Sequence, residues 1–311
     1  MTLWTLHHAD CRDSMRTMEA EFIDSIVTDP PYGLSFMGKN WDHGVPGVPF
    51  WTEALRVAKP GAHLVAFGGT RTFHRLAVAI EDAGWEIRDC LSWIYGSGFP
   101  KSKNLDGAWQ GWGTALKPAW EPIILARKPL IGTVAENVVR HGTGAINVDA
   151  CRIETADSLN GGAYSGLERR RDGYASADGV PGVKPFSALR RGIGEFAQPS
   201  GRWPANVALD EEAAELLGEP SRFFYTAKAS RRERGEGNTH PTVKPVALMR
   251  WLVRLVTPTG GTVLDPFNGS GSTGVAALAE GMRYVGCERE AEYIEIARRR
   301  LESSHAQMEL L

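Results

Sequence analysis

The sequence predicts an α/β protein built on a mostly parallel sheet that helices cover on both faces. Two observations predict it: short apolar runs alternate with segments of helical periodicity over residues 1–127, and the same alternation returns after residue 237. Strands that are separated by helices, rather than by two-residue turns, pair in parallel. A chain of 311 residues, 42% of them hydrophobic, has ample material for such a core.

The predicted elements of the first half follow from the apolar runs and from the residues that interrupt them. Pro60 and Gly61 are expected to stop the first helix, and Gly84 lies near the end of the second. In order, the segments are TLHHAD (strand), FIDSIVTD (strand), FWTEALRVAKPG (helix), AHLVAFGG (strand), TFHRLAVAIEDAGW (helix), EIRDCLSWIY (strand) and WEPIILARKP (strand).

The middle of the chain has a different character. Glycine is dense between residues 128 and 237, and arginine pairs and triples occur there. Residues 101–205 contain 14 Lys/Arg against 10 Asp/Glu, so this part carries +4 while the remainder carries -6. Two interpretations stay open, namely a flexible surface insertion and a module that contacts nucleic acid.

Regular patterns return at the end of the chain. A loop leads into a helix from about Pro245, and a unit of strand, helix, strand and helix follows, with a glycine-rich turn in its first connection. In order, the segments are THPTVKPVALMRWLVRLVTP (loop, then helix), GTVLDPF (strand), GVAALAEG (helix), YVGCERE (strand) and AEYIEIARRRLESS (helix).

Composition narrows the class of protein. The net charge of -2 does not indicate a generally basic surface, so any surface for a polyanion must be local. Four cysteines lie far apart without zinc spacing, which is typical of reduced thiols in the cytoplasm, and we expect no metal. The start MTLWTLHHAD lacks the features of a signal peptide, and no apolar run reaches the roughly 20 residues of a membrane span. We therefore expect a cytoplasmic protein without a membrane partner.

The glycine turn TVLDPFNGSGST predicts a cofactor site. Gly269 and Gly271 allow a tight turn and a close approach to a ligand. The segment lacks the lysine of a phosphate-binding P-loop and the spacing of the dinucleotide motif. Glu288 ends the next strand, where a carboxylate can accept hydrogen bonds from ribose hydroxyls. A nucleoside cofactor without pyrophosphate fits this pattern, and S-adenosylmethionine (AdoMet) is such a cofactor.

The segment DPPY at residues 29–32 predicts the chemistry. Its two prolines stop the preceding apolar strand and stiffen the turn. The Asp29 carboxylate and the Pro30 carbonyl are acceptors that can hold an NH2 group, and Tyr32 offers an aromatic face to a planar base. Two such acceptors localise the nitrogen lone pair and stabilise developing positive charge, so positioning and electrostatics suffice. A base in a duplex must first be flipped out.

With DPPY and FNGSG both present, the sequence resembles the amino DNA methyltransferases, which methylate adenine N6 or cytosine N4 with AdoMet. The catalytic motif precedes the AdoMet motif, an order that is similar to the β class. The resemblance covers about residues 1–127 and 205–311. It implies a Rossmann-like AdoMet-dependent methyltransferase fold with a mostly parallel seven-stranded sheet and a circularly permuted motif order. Double-stranded DNA is the implied partner.

The resemblance also implies a set of site residues. Lys244, in HPTVKP, would lie near the methionine carboxylate, and Asp10 with the backbone of Cys11 would contact the adenine of AdoMet. Glu288 would bind the ribose. The implied catalytic residues are Asp29, Pro30, Pro31 and Tyr32. The implied cofactor-binding residues are Asp10, Cys11, Asp29, Lys244, Asp265, Phe267, Gly269, Ser270, Gly271, Thr273 and Glu288.

Other residues have two interpretations each. Cys11 is expected to be a small buried residue rather than a nucleophile, and the pair at residues 7–8 to be strand histidines rather than metal ligands. Phe36 and Trp41 could be core or base-pocket residues, and WIYGSGFP at 93–100 could be a strand end or a pocket wall. Glu121 and Lys117 are interpreted as charges flanking a strand, with contact to DNA as the alternative. The basic segment 228–236 is expected to contact the DNA backbone, and a solvated turn is the alternative.

We therefore expect a site-specific DNA methyltransferase that acts on adenine N6. Residues 1–127 would form its catalytic half, 128–236 a target-recognition insertion and 237–311 the AdoMet-binding half. A cytosine-N4 enzyme, an RNA or protein amine methyltransferase and a non-catalytic DNA-binding regulator remain alternatives. The resemblance also makes a homodimer plausible, with either a cognate restriction enzyme or none.

Overall fold

The computed structural model describes residues 2–34, 44–98, 102–157, 159, 199–228 and 243–308. The strands are β1 Trp4–His8, β2 Ile23–Thr28, β3 Ala58–Phe67, β4 Glu86–Ile94, β5 Trp120–Arg127, β6 Val207–Asp210, β7 Tyr225–Ala227, β8 Thr262–Asp265 and β9 Arg283–Glu288. The helices are α1 Cys11–Thr17, α2 Val48–Val57, α3 Phe73–Asp82, α4 Val134–His141, α5 Glu211–Leu217, α6 Val246–Val256, α7 Ser272–Ala279 and α8 Ala291–Met308.

In the described part of the chain, a single sheet joins nine strands in the order β1-β9-β8-β2-β3-β5-β4-β6-β7. Strand β5 is antiparallel to both of its neighbours, β3 and β4. The other neighbouring strands are parallel to each other. The predicted mostly parallel α/β fold is thus confirmed. The expected count of seven strands is too low, because β6 and β7 extend the sheet beyond β4.

Two hydrophobic layers enclose this sheet, and β3 shows how one strand supplies both. Leu64 and Ala66 pack with residues of α1, α2 and α3 on one face. Val65 and Phe67 pack with residues of α6 and α7 on the other. Successive side chains of a strand point to opposite faces, so a strand that is buried on both faces is apolar throughout. This is why AHLVAF shows no alternation in the sequence.

The boundary between α2 and β3 differs from the prediction. The helix already ends at Val57, and Pro60 lies within β3 instead of stopping a helix. The pairing of β2 with β3 is irregular at this point, and such a bulge tolerates a residue that has no N–H to donate. The Pro60 carbonyl accepts hydrogen bonds from the side chains of Asn137 and Thr143, which hold the segment that carries α4 against this end of the strand.

The range 128–236, predicted as a recognition insertion, contains elements that belong to the main sheet. Strands β6 and β7 both lie in it, and β6 pairs with β4 of the first half. Residues 160–198, with the arginine triple at 169–171 and the pair at 190–191, lie outside the described residues. The division into catalytic, recognition and cofactor-binding parts stays a prediction. Helix α1 was not predicted, because its seven residues are too few to show a helical period.

The described ranges contain no group of three or more His, Cys, Asp or Glu side chains arranged to hold a metal ion. No helix within those ranges is both long and apolar enough to cross a membrane. Cys11, Cys151 and Cys287 are buried as free thiols, and Cys90 is exposed. Cys11, the first residue of α1, is buried as predicted, and His7 and His8 lie in β1 as predicted.

Candidate active site

Four acidic residues meet at the carboxyl edge of the sheet. Strands β1, β9, β8 and β2 are consecutive parallel neighbours, so their carboxyl ends lie side by side. Glu288 and Asp265 are the last residues of β9 and β8, Asp29 directly follows β2, and Asp10 follows β1 by two positions. Ligands of open α/β sheets bind at this edge.

A cavity of about 630 Å³ opens at this edge. Sites for cofactors and drug-sized ligands typically measure about 300–1,000 Å³. The cavity brings together residues from both ends of the chain, and only Gly271 of the predicted site residues does not line it. The predicted residues that line it are Asp10, Cys11, Asp29, Pro30, Pro31, Tyr32, Lys244, Asp265, Phe267, Gly269, Ser270, Thr273 and Glu288.

The glycine turn after β8 has the tight geometry that its sequence predicts. Gly269 and Gly271 adopt φ angles of +50° and +79°. Gly271 is the residue directly before α7 and faces α8. A Cβ added to it would lie 3.1 Å from the Cβ of Ala297. Arg300 of α8 donates hydrogen bonds to the backbone carbonyl and the hydroxyl of Ser270, which fix the turn against the helix. Gly271 thus lets the turn that lines the cavity pack closely against α8, although it does not line the cavity itself.

The Glu288 carboxylate is tied to the glycine turn by backbone hydrogen bonds. The amide of Gly269 donates to one oxygen at 2.7 Å, and the amide of Glu290 donates to the other at 2.8 Å. Burial raises the pKa of this carboxyl, while the two amides favour its charged form. Each carboxylate oxygen has a second lone pair, so Glu288 keeps acceptor capacity toward the cavity.

Asp265 connects the two predicted motifs. Its Oδ1 accepts a 2.6 Å hydrogen bond from the Thr28 hydroxyl, directly before DPPY, and a 3.1 Å bond from the Phe267 amide in the glycine turn. Burial raises the pKa of Asp265 to about 6, although hydrogen bonds from Thr28, Thr273 and the Phe267 amide favour its charged form. A carboxylate that is so heavily hydrogen-bonded holds the tips of β2 and β8 in one geometry.

Asp10 and Cys11 begin the short helix α1 beside the cavity. The Asp10 side chain caps the helix by accepting from the Arg12 amide at 2.9 Å and pairs with the Arg12 guanidinium. The side-chain hydrogen bond from Arg12 lowers the pKa of Asp10, so this carboxyl is charged at neutral pH. Burial raises the pKa of the Cys11 thiol well above its ordinary value, so the thiol stays protonated and is a poor nucleophile.

The DPPY residues take part in a buried ionic network that includes Lys244. The Lys244 ammonium lies 2.9 Å from Asp29 Oδ2 and 3.1 Å from Glu121 Oε2, and it donates to the Tyr32 hydroxyl at 3.1 Å. The Tyr32 hydroxyl in turn faces Asp29 Oδ1 at 2.8 Å and Glu121 Oε2 at 3.1 Å. The ammonium also lies 4.9 Å from the ring centre of Phe67. The DPPY tetrapeptide is therefore connected to one lysine and one additional carboxylate.

The charges of this network follow from its surroundings. Burial lowers the pKa of Lys244, but the carboxylates of Asp29 and Glu121 outweigh burial, so the pKa is raised and the group is an ammonium. Burial, together with the same two carboxylates, raises the pKa of Tyr32 well above its ordinary value, so its phenol is neutral. The Lys244 ammonium thus has three partners within the protein, namely Asp29, Glu121 and Tyr32. Its contact with the methionine carboxylate of AdoMet stays a prediction.

Several residues of the cavity were missed or left open by the sequence. Glu121, predicted only to flank a strand, lines the cavity because β5 is antiparallel and begins at this edge. Trp93, near the end of β4, and Tyr95, just after it, also line the cavity, so this end of β4 forms a pocket wall. Phe50 also lines the cavity, and the centre of its ring lies 5.9 Å from that of Phe267. The sequence did not indicate Phe50 as a cavity residue. Residues 36 and 41 and the basic stretch 229–236 lie outside the described residues.

The cavity has two chemically different parts. Toward β1 and β9 it has acidic strand tips and the aromatic ring of Phe267, which suit the hydroxyl groups and the purine of a nucleoside. Toward β2 and β5 it has the Asp29 network together with Trp93 and Tyr95, which suit a planar ring with an amino group. Asp29 lies between a cofactor-like region and a base-like region. The lining residues thus have the chemistry to hold a nucleoside cofactor such as AdoMet beside a planar ring with an amino group.

Comparisons with known proteins agree with this arrangement. The model of the N6/N4 DNA methylase family, described as DNA methylase, matches residues 23–299. Type II methyltransferase M.HindIII of Haemophilus influenzae is 23% identical over 95% of this chain and 94% of its own length. DNA adenine methyltransferase YhdJ of Escherichia coli is 25% identical over 99% of this chain and 86% of its own length.

Solved structures show the same fold. The cytosine-N4-specific PvuII DNA methyltransferase superposes with a TM-score of 0.58 at 14% identity, covering 96% of this chain and 86% of that one. The complex of M1.HpyAVI with SAM superposes with a TM-score of 0.51 at 17% identity, covering 96% of this chain and 100% of that one.

The family match spans DPPY, the glycine turn and the strands that bring them together at one cavity. The order of its motifs is that of the β class, and AdoMet is the methyl donor of the family. The chain belongs to the N6/N4 DNA methylase family and is an AdoMet-dependent DNA methyltransferase.

Proposed function

We propose that this protein transfers a methyl group to the exocyclic N6 of an adenine that has been flipped out of double-stranded DNA. The observation that carries the proposal is the position of Asp29, whose carboxylate lines the cavity beside Pro30 and Tyr32. An aspartate is a stronger acceptor for an amine than the serine that can begin this motif. The relative from Escherichia coli whose name specifies DNA adenine also supports adenine.

The residues of the chain perform three tasks in this reaction. AdoMet, when bound, supplies an electrophilic methyl group on a sulfonium. Asp29 and the Pro30 carbonyl accept the two hydrogens of the adenine amino group, which localises the nitrogen lone pair and aims it at the methyl carbon. The negative charge of Asp29 stabilises the positive charge that develops on the nitrogen. When the amine loses its proton, an Asp29 oxygen accepts it.

The cofactor is held by the opposite part of the cavity. Glu288 accepts hydrogen bonds from the ribose hydroxyls, and its own backbone hydrogen bonds fix its orientation. Asp10 and the Cys11 backbone bind the adenine of AdoMet beside Phe267. Asp265, Ser270 and Thr273 line the turn that faces the remainder of the cofactor.

Cytosine N4 is the second candidate for the methylated position. It has the same chemistry, because a cytosine amino group is also conjugated with its ring and needs the same polarisation. The fold that this chain shares with a cytosine-N4-specific enzyme keeps this candidate open. The difference between the two lies in the shape of the base pocket, which includes Trp93 and Tyr95.

The product decides between these candidates. Purified protein is incubated with double-stranded DNA and AdoMet, the DNA is digested to nucleosides, and the nucleosides are analysed by mass spectrometry. We expect N6-methyldeoxyadenosine. N4-methyldeoxycytidine would assign the cytosine activity instead, and AdoMet binding without methylation of DNA, RNA or protein would indicate a non-catalytic regulator.

The partners are proposed from the family. The similarity to M.HindIII favours a modification enzyme, either with a cognate restriction enzyme or as an orphan. Sequencing DNA from expressing cells with detection of modified bases would give the recognition site. Analytical ultracentrifugation of the free protein and of its DNA complex would test for a homodimer.

A further inference from the structure

Glu121 is a second carboxylate at the reaction centre. It lies next to Pro122 near the start of β5, where it is paired with Trp93 of β4. Its side chain is 23% exposed and lines the cavity, and its Oε2 lies 3.1 Å from both the Lys244 ammonium and the Tyr32 hydroxyl. Neither DPPY nor the glycine turn contains this residue.

The hydrogen-bonding capacity of Lys244 is used completely inside the network. A lysine ammonium has three N–H donors. Three acceptors surround the Lys244 nitrogen, namely Asp29 Oδ2, Glu121 Oε2 and the Tyr32 hydroxyl oxygen. The lysine side chain is only 10% exposed, so water has little access to it. The ammonium is thus shared between two carboxylates.

How the positive charge of Lys244 is shared determines how strongly Asp29 can stabilise a cationic amine. Asp29 and Glu121 each contribute one negative charge, Lys244 contributes one positive charge, and Tyr32 is neutral, so the network carries a net charge of -1. If Glu121 were neutral, Lys244 would balance Asp29 alone and the net charge would be zero. An Asp29 whose charge is cancelled at 2.9 Å would stabilise a cationic amine far less in this partly enclosed site.

We propose that Glu121 is a positioning residue that shares the Lys244 ammonium with Asp29 and thereby preserves part of the negative charge with which Asp29 polarises the target amine. This inference rests on the proposed role of Asp29, and it holds for adenine N6 and cytosine N4 alike. Glu121 acts through Lys244 and Tyr32, and it need not touch the base itself.

The main test is Glu121→Gln, which keeps the shape and one acceptor oxygen but removes the charge. We expect kcat to fall about 10- to 100-fold, while the KM for DNA and the calorimetric Kd for S-adenosylhomocysteine change less than about threefold. The matched control is Glu86→Gln at the start of β4, where Glu86 pairs with Arg127. This control should leave all three quantities unchanged.

A charge-balancing double variant distinguishes electrostatics from packing. Lys244→Gln alone makes the network -2, and the pair Glu121→Gln with Lys244→Gln restores -1. We expect the double variant to exceed Glu121→Gln in kcat by roughly tenfold, because it restores the net charge of -1 without restoring the lysine. A role in packing alone would make the two losses accumulate.

Either of two results would overturn the inference, namely a wild-type kcat in Glu121→Gln or a double variant whose kcat is no higher than that of Glu121→Gln. If Glu121→Gln does not fold, the double variant still decides, because its wild-type net charge of -1 predicts a kcat within about tenfold of the wild type, and a larger loss would contradict the inference. The proposed function is tested separately by Asp29→Ala. If that variant is inactive while Glu121→Gln is fully active, only the role of Glu121 fails.

Discussion

The Thr28 hydroxyl donates a 2.6 Å hydrogen bond to Asp265, which joins the end of β2 to the end of β8. Asp29 follows directly after Thr28, and the glycine turn follows directly after Asp265. This contact therefore fixes the distance between the residues proposed to hold the target amine and those proposed to hold the cofactor. A methyl transfer depends on that distance, because the reacting atoms must be about 3–3.5 Å apart.

Asp29→Ala should abolish methyl transfer. The substitution removes the acceptor that we propose polarises the amine, and it leaves Glu121 as the one carboxylate paired with Lys244 among those described. We expect kcat to fall at least about 1,000-fold, whereas the Kd for AdoMet should change only a few-fold. Radiolabelled methyl transfer and calorimetry measure the two quantities. Normal turnover in this variant would refute the role of Asp29.

Glu288→Ala should act mainly on the cofactor. The variant loses the proposed contact with the ribose, and it also releases the amides of Gly269 and Glu290. We expect the calorimetric Kd for AdoMet to rise about 10- to 100-fold, and kcat at saturating AdoMet to change much less. Glu288→Gln keeps one acceptor oxygen, so its Kd for AdoMet should lie between those of the wild type and Glu288→Ala. An unchanged Kd in Glu288→Ala would remove Glu288 from the cofactor site.

Gly271→Ala should destabilise the protein for two separable reasons. Its φ of +79° is unfavourable for alanine, and the new Cβ would lie 3.1 Å from Ala297 of α8. Gly281 is a matched control with a φ of +72° and no atom within 4 Å of an added Cβ. We expect Gly281→Ala to cost about 1–2 kcal/mol and Gly271→Ala about 1 kcal/mol more in urea unfolding. Equal losses in the free energy of unfolding for the two variants would show that α8 accommodates the new Cβ without strain.

Asp265 should make the stability depend on pH. Burial raises the pKa of its carboxyl from the ordinary 3.8 to about 6, so the folded state binds this proton more tightly than the unfolded state. The contribution of Asp265 to the free energy of unfolding is therefore most favourable below about pH 4 and falls by about 3 kcal/mol as the pH rises through about 6. Asp265→Asn cannot ionise and should lack this fall.

The measurement is urea unfolding of both proteins at about pH 4.5 and about pH 7.5. The stability of Asp265→Asn relative to the wild type should increase with pH. Asp13→Asn, at an exposed position of α1, serves as the control and should show no such trend. A difference between Asp265→Asn and the wild type that does not vary with pH would contradict the raised pKa.

Much of this protein was determined by local sequence. The apolar strands, the helices α2, α3, α6, α7 and α8 and the tight turn at Gly269 and Gly271 follow from hydrophobic runs, periodicity and the freedom of glycine. The residues of DPPY and of the glycine turn could also be predicted, because their chemistry is contained in short contiguous segments. These predictions need no knowledge of which strands become neighbours.

Only the tertiary structure decided how these segments meet. The order of the strands places four acidic tips side by side, and the antiparallel direction of β5 brings Glu121 to the same edge. No local pattern distinguishes Glu121 from an ordinary charge at the end of a strand. The carboxylate partners of Lys244 likewise lie far away in the sequence, directly after β2 and in β5. Strand direction and pairing are properties of the whole chain, because they depend on which apolar faces are buried together.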